Sequence, residues 1–141
     1  MKKTLFLLVT SFLMFTSCEG PAGRDGLDFE FHNEYFTVRS QDWDRVSVGR
    51  YATLYERVVD VKIGNEAYEK GMVLVYMFQW DDSSNSEVKT PLPCLTQQTE
   101  GNNTWIEGYN FDYDAGTVKF YVECRNGTNP PGCEFHVVVA P

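Results

Sequence analysis

The chain has 141 residues, with 20 acidic against 12 basic side chains and a net charge of −8. Such a balance lacks the Lys/Arg clusters that nucleic acid or an electrostatic grip on anionic lipid requires, so neither is expected as a partner. Aromatics at 15%, with 11 glycines and 6 prolines, exclude intrinsic disorder and suit a turn-rich β protein.

Met1-Lys2-Lys3 is a positive start, and Thr4 to Phe15 is an apolar stretch, densest at Leu5 to Val9. A bilayer span needs about 20 apolar residues, so this shorter run reads as an export signal over 1–17. Phe15-Thr16-Ser17-Cys18 resembles the lipobox of bacterial lipoproteins, with Phe15 where Leu is usual. The likeness implies that the Cys18 thiol takes a diacylglycerol, that cleavage precedes it, and that the freed amine gains a fatty acid such as palmitate. Several acyl chains, at about 0.8 kcal/mol per buried methylene, would anchor the protein in the membrane far more firmly than one. Loss of the signal removes Lys2 and Lys3 and leaves one domain's worth of chain, 124 residues carrying −10.

Glycines at 20, 23 and 26, with Pro21 and Ala22 between the first two, give the segment 18–28 a collagen-like wording. Three glycines cannot hold a triple helix, so the segment reads as a flexible Gly/Pro tether, reaching roughly 30 Å at about 3.3 Å per residue. The remaining 29–141 form the domain. A first strand is expected near 30–39, from the alternation in Phe29-Glu30-Phe31-His32 and the run Tyr35 to Arg39. Arg50 to Val61 is a second, with Tyr51, Thr53 and Tyr55 on one face and Ala52, Leu54 and Val58 on the other. Asn65 to Gly71 fits one helical turn, capped by Asn65 and ended by Gly71. Met72 to Trp80 is apolar on both faces apart from Gln79, which predicts a central strand covered from two sides. Asp81 to Lys89 reads as a polar loop, and Pro91-Leu92-Pro93 leads into a short edge strand through Leu95.

The last third can be registered. A two-residue turn at Ala115-Gly116 pairs Phe111 with Phe120 and Tyr109 with Val122, whereas a one-residue slip would turn Asn110 and Asp112 inward. Val118, Phe120, Val122 and Cys124 then share a face. A hairpin closing Cys124 on Cys133 would extend this into a three-stranded meander, with Val122 opposite Phe135, at the expense of Glu123 opposite Glu134. The expected fold is an all-β, antiparallel, immunoglobulin-like β-sandwich of about seven strands with one short helical turn.

Chemistry is sparse. After Cys18 three cysteines remain, allowing three single pairings in an oxidising compartment, and the hairpin register favours a Cys124–Cys133 disulfide. Cys94 is left as a small buried hydrophobe; as a nucleophile it would need His136 as base, and nothing near it marks a lowered thiol pKa or an orienting carboxylate. His32 and His136 lack zinc spacing, and Asp112 to Gly116 begins like a calcium loop but places its glycine one position early. No metal, cofactor or catalytic residue is therefore expected. Trp43, Trp80 and Trp105 lie near strand ends, where rings either stack on sugars or plug the sandwich. Trp43 and Trp80, each beside an acidic loop, are the candidate ligand contacts.

Cys18 to Gly23, Trp43 with Tyr51, Gly71 to Tyr76, and Pro91 to Pro93 together resemble small exported lipoproteins of Gram-negative bacteria. The resemblance implies lipid anchoring at the cell envelope, on the outer membrane, and a single β domain; it brings no catalytic residues. The expected function is a non-enzymatic module binding a glycan or an envelope protein. The alternative is a structural lipoprotein that assembles through its collagen-like tether.

Overall fold

The computed structural model describes residues 31–141; the export signal, Cys18 and the tether lie outside the described residues. Nine strands form the domain: β1 (His32–Val38), β2 (Asp44–Val48), β3 (Ala52–Asp60), β4 (Met72–Asp81), β5 (Ser86–Pro91), β6 (Cys94–Glu100), β7 (Asn103–Asp114), β8 (Thr117–Arg125) and β9 (Cys133–Ala140). A short helix, α1 (Asn65–Lys70), precedes β4, and a single 3-10 turn spans Ser40–Asp42. The strands make two antiparallel sheets, ordered β1-β9-β4-β5 and β2-β3-β8-β7-β6, packed as the expected all-β sandwich.

Alternation and turn chemistry set most of this. The β7–β8 hairpin has the expected register, Tyr109 beside Val122 and Phe111 beside Phe120, with Gly116 at φ 115° completing the turn. The helix differs in detail from expectation. Gly64 is its N-cap, Asn65 is already helical, and the Gly71 N–H closes the end on the Ala67 carbonyl. Residues 81–89 form a hairpin, not a loop. The Asp81 carboxylate accepts from the Ser83 N–H and from the hydroxyls of Ser83 and Ser84, while Asn85 takes a left-handed φ of 49°. These contacts hold the Asp81 carboxyl below the usual carboxylate range, the Ser83 hydroxyl contributing most. Pro91 to Pro93 do lead into an edge strand as expected: Pro91 closes β5, an edge of one sheet, and the chain crosses to β6, an edge of the other, which runs past Leu95 to Glu100.

The largest correction concerns β8 and β9. They are not hairpin partners. β8 lies between β3 and β7, whereas β9 lies between β1 and β4 in the facing sheet. Each strand has one wholly apolar face, and opposing those faces across the core buries both, with Phe120 and Phe135 stacked at 4.2 Å between centroids. The crossing segment, 126–132, holds Pro130 and Pro131, which lack the N–H groups a ladder needs. It is pinned by Ser40 Oγ donating to the Pro130 carbonyl, Trp43 Nε1 to the Pro131 carbonyl and Tyr55 Oη to the Thr128 carbonyl. The Glu123–Glu134 opposition disappears: Glu123 neighbours Leu54 and Gly108, and Glu134 neighbours Thr37.

Gly71 sits where α1 meets β4. A Cβ there would collide with the backbone oxygen of Ala140 and lie 2.7 Å from that of Ala67, neither of which can swing away. Gly64, at the other end of α1, has nothing within 4 Å of such an atom and an ordinary φ of −71°. Gly71→Ala is therefore expected to lower stability by about 1–3 kcal/mol, and Gly64→Ala to leave it within about 0.5 kcal/mol. Equal melting temperatures for the two variants would contradict the close α1–β9 packing.

Candidate functional site

The expectation that β4 is covered on both sides fails on one of them. Its inner side chains, Val73, Val75 and Met77, join the core, but Met72, Leu74 and Trp80 on the outer face are exposed. Around them the four-stranded sheet presents an aromatic bed. Tyr35 of β1 lies parallel to His136 of β9, 4.4 Å between ring centroids and 2° between planes, and Tyr76 of β4 approaches His136 from the other side at 5.9 Å. Phe78 stacks on Tyr35 at 6.2 Å, and the Lys89 ammonium sits 5.2 Å from the Phe78 centroid and 5.9 Å from that of Tyr35. Tyr35 is 63% exposed and Trp80 62%, so these rings face solvent. A contiguous exposed patch of this kind marks an interaction surface more often than a lone exposed ring does.

His136, by contrast, is buried beneath its neighbours. Lys89 Nζ donates to Nδ1 at 3.4 Å, which leaves Nε2 to donate to Asn33 Oδ1 at 3.0 Å. Both ring nitrogens are engaged by a neutral imidazole, and burial first, then the Lys89 charge, holds the His136 pKa below its ordinary value. His136 is on the outer face of one sheet, while Cys94 starts β6 in the other, so the nucleophile–base pair considered for them is not assembled.

Trp80 also borders an open cleft of about 770 Å³ between the β4–β5 and β6–β7 sides of the sandwich. The cleft exists because inner-face positions here carry Gln79, Thr96 and Gln98 where the rest of the interior carries Val and Phe. Gln98 Nε2 donates to Thr96 Oγ1 at 3.3 Å, but Gln79 Nε2 is buried without a hydrogen-bond partner. Asp82, Glu87 and Glu134 complete the rim. A second hollow, about 730 Å³, lies on the outer face of the five-stranded sheet, with Gly108 and Leu95 among its lining.

Beside the cleft lies a layer that alternation in β7 places inward but that no motif announces. Glu107 is 2% exposed; its carboxylate accepts from Trp105 Nε1 at 3.1 Å and from Tyr109 Oη at 2.9 Å. Burial, aided by Cys133 and Glu107, pushes the Tyr109 phenol far above its ordinary value. The three described cysteines are free, so the Cys124–Cys133 disulfide is not formed. The hairpin on which that pairing rested is absent too, since the crossover places the two residues in facing sheets and not in one ladder. Burial pushes the Cys124 thiol up to about 12, with Glu107 adding to it, and the Cys133 thiol up to about 11. Cys94 is raised by burial as well. Such thiols stay protonated near neutral pH and are weak nucleophiles.

The two candidate tryptophans part company. Trp43 is 7% exposed, edge-on to Phe135 at 6.2 Å, and belongs to the core; Trp80 alone of the pair is presented to solvent. Among the described residues no group of three or more His, Cys, Asp or Glu is arranged to hold a metal ion. No known family model matches the chain, and neither a curated protein nor a solved structure matches it.

The His136 environment fixes a sign. Because the folded pKa is lowered, the unfolded chain takes up a proton that the folded one refuses, so stability falls as pH drops through the ordinary histidine range near about 6.5. The melting temperature of the parent is expected to fall between pH 7.5 and 5.5 by more than that of His136→Gln. Parallel slopes for the two proteins would refute the assignment.

Proposed function

We propose that this chain is a lipoprotein of the bacterial cell envelope, held to the outer membrane through Cys18, whose sandwich is a non-enzymatic binding module, with a glycan favoured over an envelope protein as ligand. One observation carries the reading: Trp80, 62% exposed, stands where the aromatic bed of the four-stranded sheet meets the cleft containing the unpartnered Gln79 amide. An indole face stacks on the apolar face of a pyranose, and amide and hydroxyl groups beside it match sugar hydroxyls. Rigid aromatic anchors also lose little side-chain entropy on binding. The raised thiols and the doubly engaged His136 supply neither an activated nucleophile nor a free base, which favours binding over catalysis. Anchoring rests on the likeness of Phe15 to Cys18 to a lipobox.

Two experiments test the two halves. Cys18→Ala in the full chain, expressed in a Gram-negative host, is expected to abolish incorporation of labelled palmitate; undiminished label would sink the anchor. In the sandwich, Trp80→Ala is expected to keep the parental melting temperature while removing any glycan-induced shift in tryptophan emission. Trp43→Ala should instead lower stability by about 3–5 kcal/mol, as loss of a buried aromatic does. A Trp80→Ala protein that still gives the full emission shift would remove the site from consideration.

A further inference from the structure

Resting on that reading, we infer that the cleft beside Trp80 selects glycans by charge: it accepts chains of neutral or amine-bearing sugars and rejects uronate, sulfated or phosphorylated ones. The argument begins with what lines the cleft. Its ionisable rim groups are the carboxylates of Asp82, Glu87 and Glu134, and its lining includes no lysine, arginine or histidine. None of the three salt bridges among the described residues engages those carboxylates. Lys89, the cation on the same strand as Glu87, is committed to His136 and to the faces of Phe78 and Tyr35. Lys89 keeps its charge beside Phe78, but three carboxylates outnumber it, so the field an incoming ligand meets is net negative, and the net charge of −8 on the whole chain adds to it at long range.

The positions of these groups define a sugar subsite. Glu87 is the direct cross-strand neighbour of Trp80, so a carboxylate stands beside the indole. A sugar ring seated on that indole would turn an edge toward Glu87, where a hydroxyl pair or an ammonium donates to it and an anionic substituent is repelled. Deeper in, Gln79 Nε2 has no partner, and a buried donor without an acceptor is unfavourable. Gln79 belongs to the inner face of β4, opposite Trp80, and its Nε2 is closed off from solvent, so it lines the cleft without meeting the sugar seated on the indole. The neighbouring Gln98 and Thr96 offer neutral polar contacts. Neutral amides with carboxylates are a poor receptor for a polyanion, which calls for Arg and Lys.

The test titrates the full chain, in detergent micelles at low ionic strength, with three oligosaccharides of similar length: a chitosan oligomer, a cello-oligomer and an oligogalacturonate. Tryptophan emission and calorimetry supply the readout. The amine-bearing and neutral oligomers are expected to bind, and the acidic one to bind at least about ten-fold more weakly, with added salt narrowing the gap. Glu87→Gln, an isosteric change at an exposed strand position, is expected to weaken the chitosan oligomer and to raise the affinity for oligogalacturonate toward that of the neutral chain. Oligogalacturonate bound as tightly as the cello-oligomer by the parent would overturn the charge selection and leave the binding reading intact. Failure of all three oligomers would overturn both, as would a Lys-rich peptide, added as a fourth ligand, being the only one that binds.

Discussion

The stack of Phe120 on Phe135, 4.2 Å between ring centroids and 11° between planes, is the tightest ring contact between the two sheets among the described residues. Both rings are fully buried, and each comes from an internal strand of its own sheet. An aromatic pair of this geometry contributes about 0.5–1.5 kcal/mol beyond the area it buries. Its larger consequence is topological. For the two rings to face each other, the chain after β8 must leave its sheet and cross the sandwich, and the segment 126–132 is shaped for that crossing. Trp43 serves the same end: it packs edge-on against Phe135 and donates to the Pro131 carbonyl, fixing the crossing from beneath.

From that crossing follows the exposed face. With β9 inserted between β1 and β4, Tyr35, His136 and Tyr76 fall in one row across the outer side of the sheet. Nothing in the described chain covers that side. Lys89 shields part of it by lying over Phe78 and Tyr35, and the ring of Tyr35 shields His136, but Trp80, Met72 and Leu74 stay in water. At the same end of β4 the inner face switches from Met77 to Gln79, and the opposing β6 brings Thr96 and Gln98. Polar side chains cannot fill an apolar interior without partners, so the sheets leave a cleft there. Platform and cleft are two outcomes of one strand that changes character at its end.

How legible this was depended on whether the signal was local. The β7–β8 register could be read because turn length and side-chain alternation agree on it, and a one-residue slip would have turned Asn110 and Asp112 inward. Alternation also said which face of β8 and β9 is inward. It could not say which strand lies beside which, since two matched apolar faces satisfy burial either side by side or face to face. Two hints favoured the second: Pro130-Pro131 in the connection and the like-charge pair that a hairpin would have made of Glu123 and Glu134. For β4, apolar residues on both faces suggested cover on both sides. Burial is a tertiary property, and the same pattern describes a strand whose outer row awaits a ligand. Trp43 and Trp80, equivalent as sequence, differ because one precedes a strand at the crossover and the other ends a strand at an open rim. Glu107 was within reach, two residues from Tyr109 on the same face, but a lone acid in a strand carries no motif.

An exposed aromatic sheet face raises the question of why such a domain does not simply self-associate. Sheets most readily recruit other chains through unpaired edges, by adding a strand. Two of the edges here are blunted. β5 carries Glu87 and Lys89 and ends at Pro91, which offers no N–H, while β2 is short and broken by a register shift between Arg45 and Ser47. Strand addition at these edges is disfavoured, whereas the face of the four-stranded sheet stays open. On the β5 side, next to Trp80, approach is thereby steered from sideways to face-on, where contact is made by rings and carboxylates and not by backbone. A partner approaching in that direction must match an aromatic surface rimmed with negative charge, and another copy of this acidic chain would bring a surface of the same sign. Like charge on the two copies opposes their pairing, and the platform remains available to a ligand of different chemistry.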